Sequence, residues 1–179
     1  MVERRVMKYF ELFDIPVSFE INEEVLKAKF LELSKAFHPD RFTLASEEEQ
    51  EDALEKSTDI NEGYKILRNF DTRLHYILSQ KGLLTGEGQD KLPQDFLMEM
   101  MDINEVIMDL QFDPDEVKKA KAKSQIQSFD DELQVSITAA LGKENAVEDD
   151  ASLAIARDYY LKKKYLKRIY ENLDKVGRM

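Results

Sequence analysis

The chain has 179 residues, 26 Lys and Arg against 37 Asp and Glu, and a formal net charge of −11. That length suits one domain or two small ones, 42% hydrophobic residues supply a core, and the acidic balance opposes nucleic-acid binding, which needs cations in excess on the phosphates. The complete lack of cysteine excludes disulfides, thiolate metal sites, cysteine-ligated clusters and cysteine nucleophiles.

Met1 to Phe10 carries Glu3, Arg4, Arg5 and Lys8 and no apolar stretch of secretory type. No apolar run approaches the ~18 residues that span a bilayer. We therefore expect no membrane association and a bacterial cytoplasmic address, with the mitochondrial matrix the less favoured alternative. With only 6 Gly and 4 Pro, helical spacing dominates. A short aromatic segment, Met7 to Phe13, stops before Pro16. Asn22 is a good helix cap, and Leu26, Phe30, Leu33 and Phe37 follow at helical spacing. Pro39 stops that helix, having no N–H to donate. Ser46 opens another, with Glu47, Glu48 and Glu49 in the turn where the helix dipole favours acids. Its expected stripe is Leu54, Ser57, Ile60, Tyr64 and Leu67. Asn69 to Thr72 reads as a break and Arg73 to Leu78 as one more short helix. Gly82, Gly86 and Gly88 mark residues 81–91 as a linker.

The second half has longer units. Pro93 suits a first helical position, and Phe96, Met100, Ile103, Ile107 and Leu110 form an inner stripe. Asp113, Pro114 and Glu116 suggest the next start, with Asp113 as cap. Ala122, Ile126, Phe129, Leu133, Ile137 and Leu141 give that helix its face, and Gly142 ends it. A last helix carries Ile155, Tyr159, Leu166, Ile169, Leu173 and Val176. The expected fold is all-α: a helical domain over 1–80, a linker over 81–91 and a three-helix bundle over 92–179.

His38-Pro39-Asp40 lies between two amphipathic helices. A protonatable ring and a carboxylate on a loop that proline shapes make a docking tip. The alternative is a plain helix corner with Asp40 as a local cap. Upstream stands Tyr9-Phe10-Glu11-Leu12-Phe13; downstream stand Ile60-Asn61-Glu62-Gly63-Tyr64-Lys65-Ile66-Leu67 and Arg73. This combination resembles a J domain, the module that docks on DnaK-class chaperone ATPases. It departs from many J domains at Asn69 to Thr72, where an Asp-Pro turn is common. The resemblance implies that His38, Pro39 and Asp40 signal to the ATPase, with Asp40 meeting an arginine on it. Lys29 and Lys35 match positive positions of that family, and with Lys27 of the same helix they are expected to steer the approach, a merely solvated helix face being the alternative; Arg41 is a further candidate docking residue.

Between Lys91 and Lys118 there is no cation, but there are eight acids and four of the seven methionines. Leu97, Met101 and Met108 form a stripe beside the inner one, interleaved with Met98, Asp102, Glu105 and Asp109. Thioethers beside carboxylates suit a surface that grips a partly basic protein. On spacing alone the methionines could instead widen the core. A J domain followed by an acidic helical bundle resembles the HscB/Jac family, co-chaperones of iron–sulfur cluster biogenesis, and Phe96-Leu97-Met98-Glu99 matches that family's first bundle helix. The resemblance implies a co-chaperone that stimulates a DnaK/HscA-class ATPase and delivers an IscU-type scaffold to it. Leu97, Met98 and Met101 would be the apolar contacts, and Asp102, Glu105 and Asp109 the acidic ones. Tyr165 would be the aromatic contact from the last helix, with Tyr160 the alternative register. The lysines around it could equally pair with the acidic helix inside the bundle.

Enzyme chemistry has little to work with. His38 and Asp40 are too close in sequence to flank a substrate, and His75 reads as a packed helix residue. The Glu-x-x-His spacing of di-iron bundles is absent. No catalytic group, metal or cofactor is expected, and a monomer is. The competing functions are a J protein serving another client and a helical scaffold with no ATPase partner.

Overall fold

The structure is a computed structural model and describes residues 7–86, 90–143 and 145–176. Gly88, and with it part of the expected linker, lies outside these residues, as do Glu3, Arg4 and Arg5. The fold is all-helical, as expected. Helices α1 (Lys8–Leu12), α2 (Glu23–Ala36), α3 (Glu47–Arg68) and α4 (Phe70–Gln80) come first, with a 3₁₀ turn, Pro39–Phe42, between α2 and α3. Helices α5 (Gln94–Phe112), α6 (Glu116–Leu141) and α7 (Asp150–Lys175) follow. The chain forms two compact units: Met1–Leu83 with Asn145–Glu148, and Leu84–Glu144 with Asp149–Met179.

In the first unit α2 and α3 form an antiparallel hairpin. Phe30 stacks on Tyr64 at 4.1 Å, and the Lys56 ammonium lies 5.0 Å from the Phe37 ring centre, so numbers rise on one helix as they fall on the other. The Asn22 side-chain Oδ1 accepts from the amides of Glu24 and Val25, which starts α2. Ser46 and Glu49 form a reciprocal capping box at the head of α3. Phe10, Phe13, Phe19, Leu26, Ile60, Leu67, Leu74, Ile77 and Leu78 make the core.

The stripe of α3 differs from expectation. Leu54 is 60% exposed, and Ala53, Ile60, Gly63 and Leu67 face inward. Small residues are used because aromatic rings of α1 press on this face. A Cβ on Gly63 would lie 2.7 Å from Tyr9 Cδ1 and 2.9 Å from Phe13 Cε2. Gly63→Ala should therefore destabilise the first unit by about 1–3 kcal/mol, read as a lower urea midpoint with an unchanged slope.

The expected break at Asn69 to Thr72 is one residue wide. Asn69 ends α3 and caps α4, its side chain accepting from the amides of Asp71 and Thr72. No Asp-Pro turn is needed, because an asparagine cap redirects the chain. Arg73 is buried in α4: its Nε donates to the Phe19 carbonyl at 2.9 Å, and its Nη1 to the Leu67 carbonyl. Burial pulls its pKa down from the ordinary value, against the opposing charges of Glu23 and Glu20. His75 is exposed, not packed, with Nε2 3.4 Å from Ser79 Oγ; Leu74 and the run Tyr76 to Leu78 take the inner face of α4.

The second unit is the expected three-helix bundle. Phe96, Met100, Ile103, Ile107 and Leu110 of α5 pack with Ala122 and Ile126 of α6 and with Leu166, Ile169 and Leu173 of α7. Phe129 and Leu133 are only partly buried against this core, and Ile155 is half-buried. Two helix starts shift from the sequence reading. Pro93 is the cap of α5 and not its first residue. Asp115, not Asp113, caps α6, because its carboxylate reaches the amides of Val117 and Lys118 at 2.8 and 3.0 Å. Before α5, Asp90 accepts from the amide and hydroxyl of Thr85 and pairs with Arg157 at 2.9 Å. Burial pushes the Asp90 carboxyl up, but the Thr85 and Arg157 bonds outweigh it and hold it below the ordinary range.

Candidate functional site

The first candidate site is the tip between α2 and α3. Helix α2 ends at Ala36, and Pro39 occupies the first position of the 3₁₀ turn, where its missing N–H costs nothing. His38 caps that turn. Its Nδ1 accepts from the Asp40 amide at 3.3 Å, and 58% of its side chain is exposed. The Asp40 carboxylate lies 3.6 Å from the same Nδ1, with 86% of its side chain exposed. Arg41 Nη1 donates to the Lys35 carbonyl at 3.2 Å and staples the turn to the end of α2. The Arg41 amide donates to the His38 carbonyl at 3.0 Å. The result is an ordered tip bearing an unburied carboxylate. Asp40 is not spent as a helix cap, since Ser46 performs that task for α3.

The lysines of α2 separate. Lys27 and Lys35 are exposed within about 80° of one another around the helix, with the half-exposed Leu31 between them. Lys29 lies on the opposite flank and bonds Asp14 at 3.0 Å. Sequence reasoning had missed Leu31. Its position four residues after Lys27 and four before Lys35 was the available signal.

The second candidate site is the outer face of α5. Met98, Met101 and Met108 are 62%, 57% and 61% exposed, whereas Met100 is fully buried. The methionines therefore do not widen the core. Leu97, Met101, Met108 and Phe112 fall within about 60° of arc, and Met98, Glu105, Asp109 and Asp102 occupy the adjoining ~60°. Asp102, Glu105 and Asp109 are exposed, and none of them pairs with a cation among the described residues. Phe112 is the residue that sequence reasoning had missed on this face, although it follows Met108 by four.

Tyr165 of α7 borders the strip on its other side. Its ring meets Phe96 edge-on at 5.7 Å, and its hydroxyl accepts from Asn104 Nδ2 at 3.2 Å. It is half-buried, so it presents one edge to solvent and no more. The Arg168 guanidinium lies 4.9 Å from its ring centre. Tyr160 lies about 140° away around α7. Among the described residues no ion pair joins the basic cluster of α7 to the acids of α5: Lys162 pairs with Asp158 at 2.8 Å and lies 5.4 Å from the Phe96 ring centre, and Lys163 pairs with Asp130 of α6. The acids of α5 are thus left facing water.

A family model described as the HSCB C-terminal oligomerisation domain matches residues 92–174. A co-chaperone protein HscB homolog of Vibrio vulnificus is 33% identical over 171 residues, covering 95% of this chain and 96% of its own. One from Shewanella amazonensis is 32% identical, covering 95% of this chain and 97% of its own. Among solved structures, the chaperone HscB of Vibrio cholerae aligns with a TM-score of 0.63 at 26% identity, over 94% of this chain and 96% of its own. The human co-chaperone protein HscB aligns with a TM-score of 0.68 at 25% identity, over 93% and 80%. No described helix is long and apolar enough to cross a membrane. With a matching fold and relatives of this identity along nearly its whole length, the chain belongs to the HscB family of co-chaperones.

Proposed function

We propose that this co-chaperone stimulates the ATPase of a DnaK/HscA-class chaperone through the His38-Pro39-Asp40 tip and delivers to it an IscU-type iron–sulfur scaffold held on α5. In this reading residues 1–80 are the J domain, 81–91 the linker and 92–179 the scaffold-binding bundle. Lys27 and Lys35 steer the ATPase onto the tip, and Arg41 holds its shape. Lys29, tied to Asp14, contributes only through the same field. Leu97, Met98 and Met101 are the apolar anchors. Asp102, Glu105 and Asp109 form the acidic rim, and the open edge of Tyr165 closes the other side. The chain performs no chemistry of its own; the nucleotide belongs to the ATPase and the cluster to the scaffold. A bacterial cytoplasmic setting fits this role.

The observation that carries the reading is the α5 face: solvent-exposed methionines and leucine beside carboxylates that pair with no cation among the described residues. Such a face disfavours pairing with itself, because two copies would oppose like charges, so we take the working form to be a monomer. Immobilised chain should retain an IscU-type scaffold and not a generic unfolded protein. Equal retention of both would replace the reading with that of a general J protein.

A further inference from the structure

The contacts assigned above end at Met101 on the apolar side and at Asp109 on the acidic side, but the apolar strip continues. Leu97 is 38% exposed and Phe112 is 87% exposed, the latter the largest free apolar side chain on α5. From Leu97 to Phe112 the strip runs about four turns, roughly 22 Å along the helix. Phe112 is not on a frayed end. The Asp113 amide donates to the Asp109 carbonyl at 2.9 Å and closes the last turn under it. Glu105 and Asp109, both exposed, keep the acidic edge running beside Met108 and Phe112. Five large apolar side chains left in water along one helix face mark a surface that is covered when the protein works. Aromatic residues dominate the energetics of such surfaces.

The occupant follows from charge. A second copy would bring acids against acids, whereas a basic-surfaced protein meets opposite charge along the whole edge. We propose that the client face runs the full length of α5, and that Met108 and Phe112 form its second half, taking a second apolar segment of the same basic scaffold. This rests on the reading of Leu97, Met98 and Met101 as the first half. Phe112 is then an anchor as strong as Leu97, and a scaffold lacking the second segment is a poorer client.

The test is calorimetric titration of the full chain with an IscU-type scaffold, in three forms: wild type, the Met108→Ala/Phe112→Ala variant and the Leu97→Ala/Met101→Ala variant. Thermal melts and sedimentation accompany it. Both variants should bind about tenfold more weakly or worse. The melt of the Met108/Phe112 variant should stay within about 2 °C of wild type, since both side chains are already in water. Unchanged affinity of that variant, alongside a weakened Leu97/Met101 variant, overturns the extension and leaves the first half standing. Unchanged affinity of both variants removes the reading on which the extension rests. A wild-type dimer in sedimentation that Met108→Ala/Phe112→Ala dissociates would assign the strip to a second copy and overturn the proposal.

Discussion

Replacing Asp40 by Asn abolishes stimulation of the partner ATPase while leaving the fold intact; that is the expected result of the smallest change at the tip. The variant keeps the side chain's shape and removes only its charge. The backbone amide of Asp40 still donates to His38 Nδ1, and Arg41 still holds the Lys35 carbonyl. The side chain is 86% exposed, so stability should move by less than about 0.5 kcal/mol. In the proposed complex the carboxylate would face a cationic group of the ATPase, and truncating one member of a desolvated charge pair costs about 2–5 kcal/mol. Stimulation at fixed concentration should therefore fall about thirtyfold or more. Single-turnover ATP hydrolysis by the chaperone measures it, and wild-type stimulation by the variant would sink the role given to the tip.

The second large effect is on the client. Leu97→Ala/Met101→Ala removes two apolar anchors that are partly exposed in the free protein, Leu97 by 38% and Met101 by 57%. At about 1.5–3 kcal/mol for each side chain buried on binding, scaffold affinity should drop by at least one to two orders of magnitude. The melting temperature should scarcely change. Met100→Ala provides the contrast: one residue along the chain, fully buried, it should cost about 2–5 kcal/mol of stability. Charge reversal at Asp102 and Glu105 should act differently again, slowing association and weakening binding most at low salt. Large destabilisation by the Leu97/Met101 variant with unchanged affinity would move the client site to α7.

Much of this architecture is legible in the residues. The aromatic segment, the asparagine and serine caps and the His-Pro-Asp corner fall where helical spacing and capping chemistry put them. The errors have physical causes. Leu54 is large and apolar, yet it is 60% exposed, because α3 turns Ala53 and Gly63 inward and at Gly63 the Tyr9 and Phe13 rings leave no room for a side chain. Asn69 and Asp115 moved two helix starts, because a helix begins where a side chain reaches two amides, and at Asp115 this outranks the neighbouring Pro114. Spacing could not decide whether Met98 and Met101 were core or surface, since they lie two positions before and one position after the inner residue Met100. Only the placement of α6 and α7 makes that choice.

The central claim is that one chain couples an ATPase trigger to a client grip, and a cis–trans comparison tests it most directly. Chaperone ATPase is measured with scaffold present and the co-chaperone at sub-saturating concentration. One arm receives wild type; the other receives an equimolar mixture of the Asp40→Asn and Leu97→Ala/Met101→Ala chains. The mixture contains an intact tip and an intact α5 face, but never on the same molecule. The account predicts that wild type and scaffold together stimulate far beyond either alone, and that the mixture loses this synergy. A mixture that matches wild type would show that the two sites need not be joined, and would contradict the account.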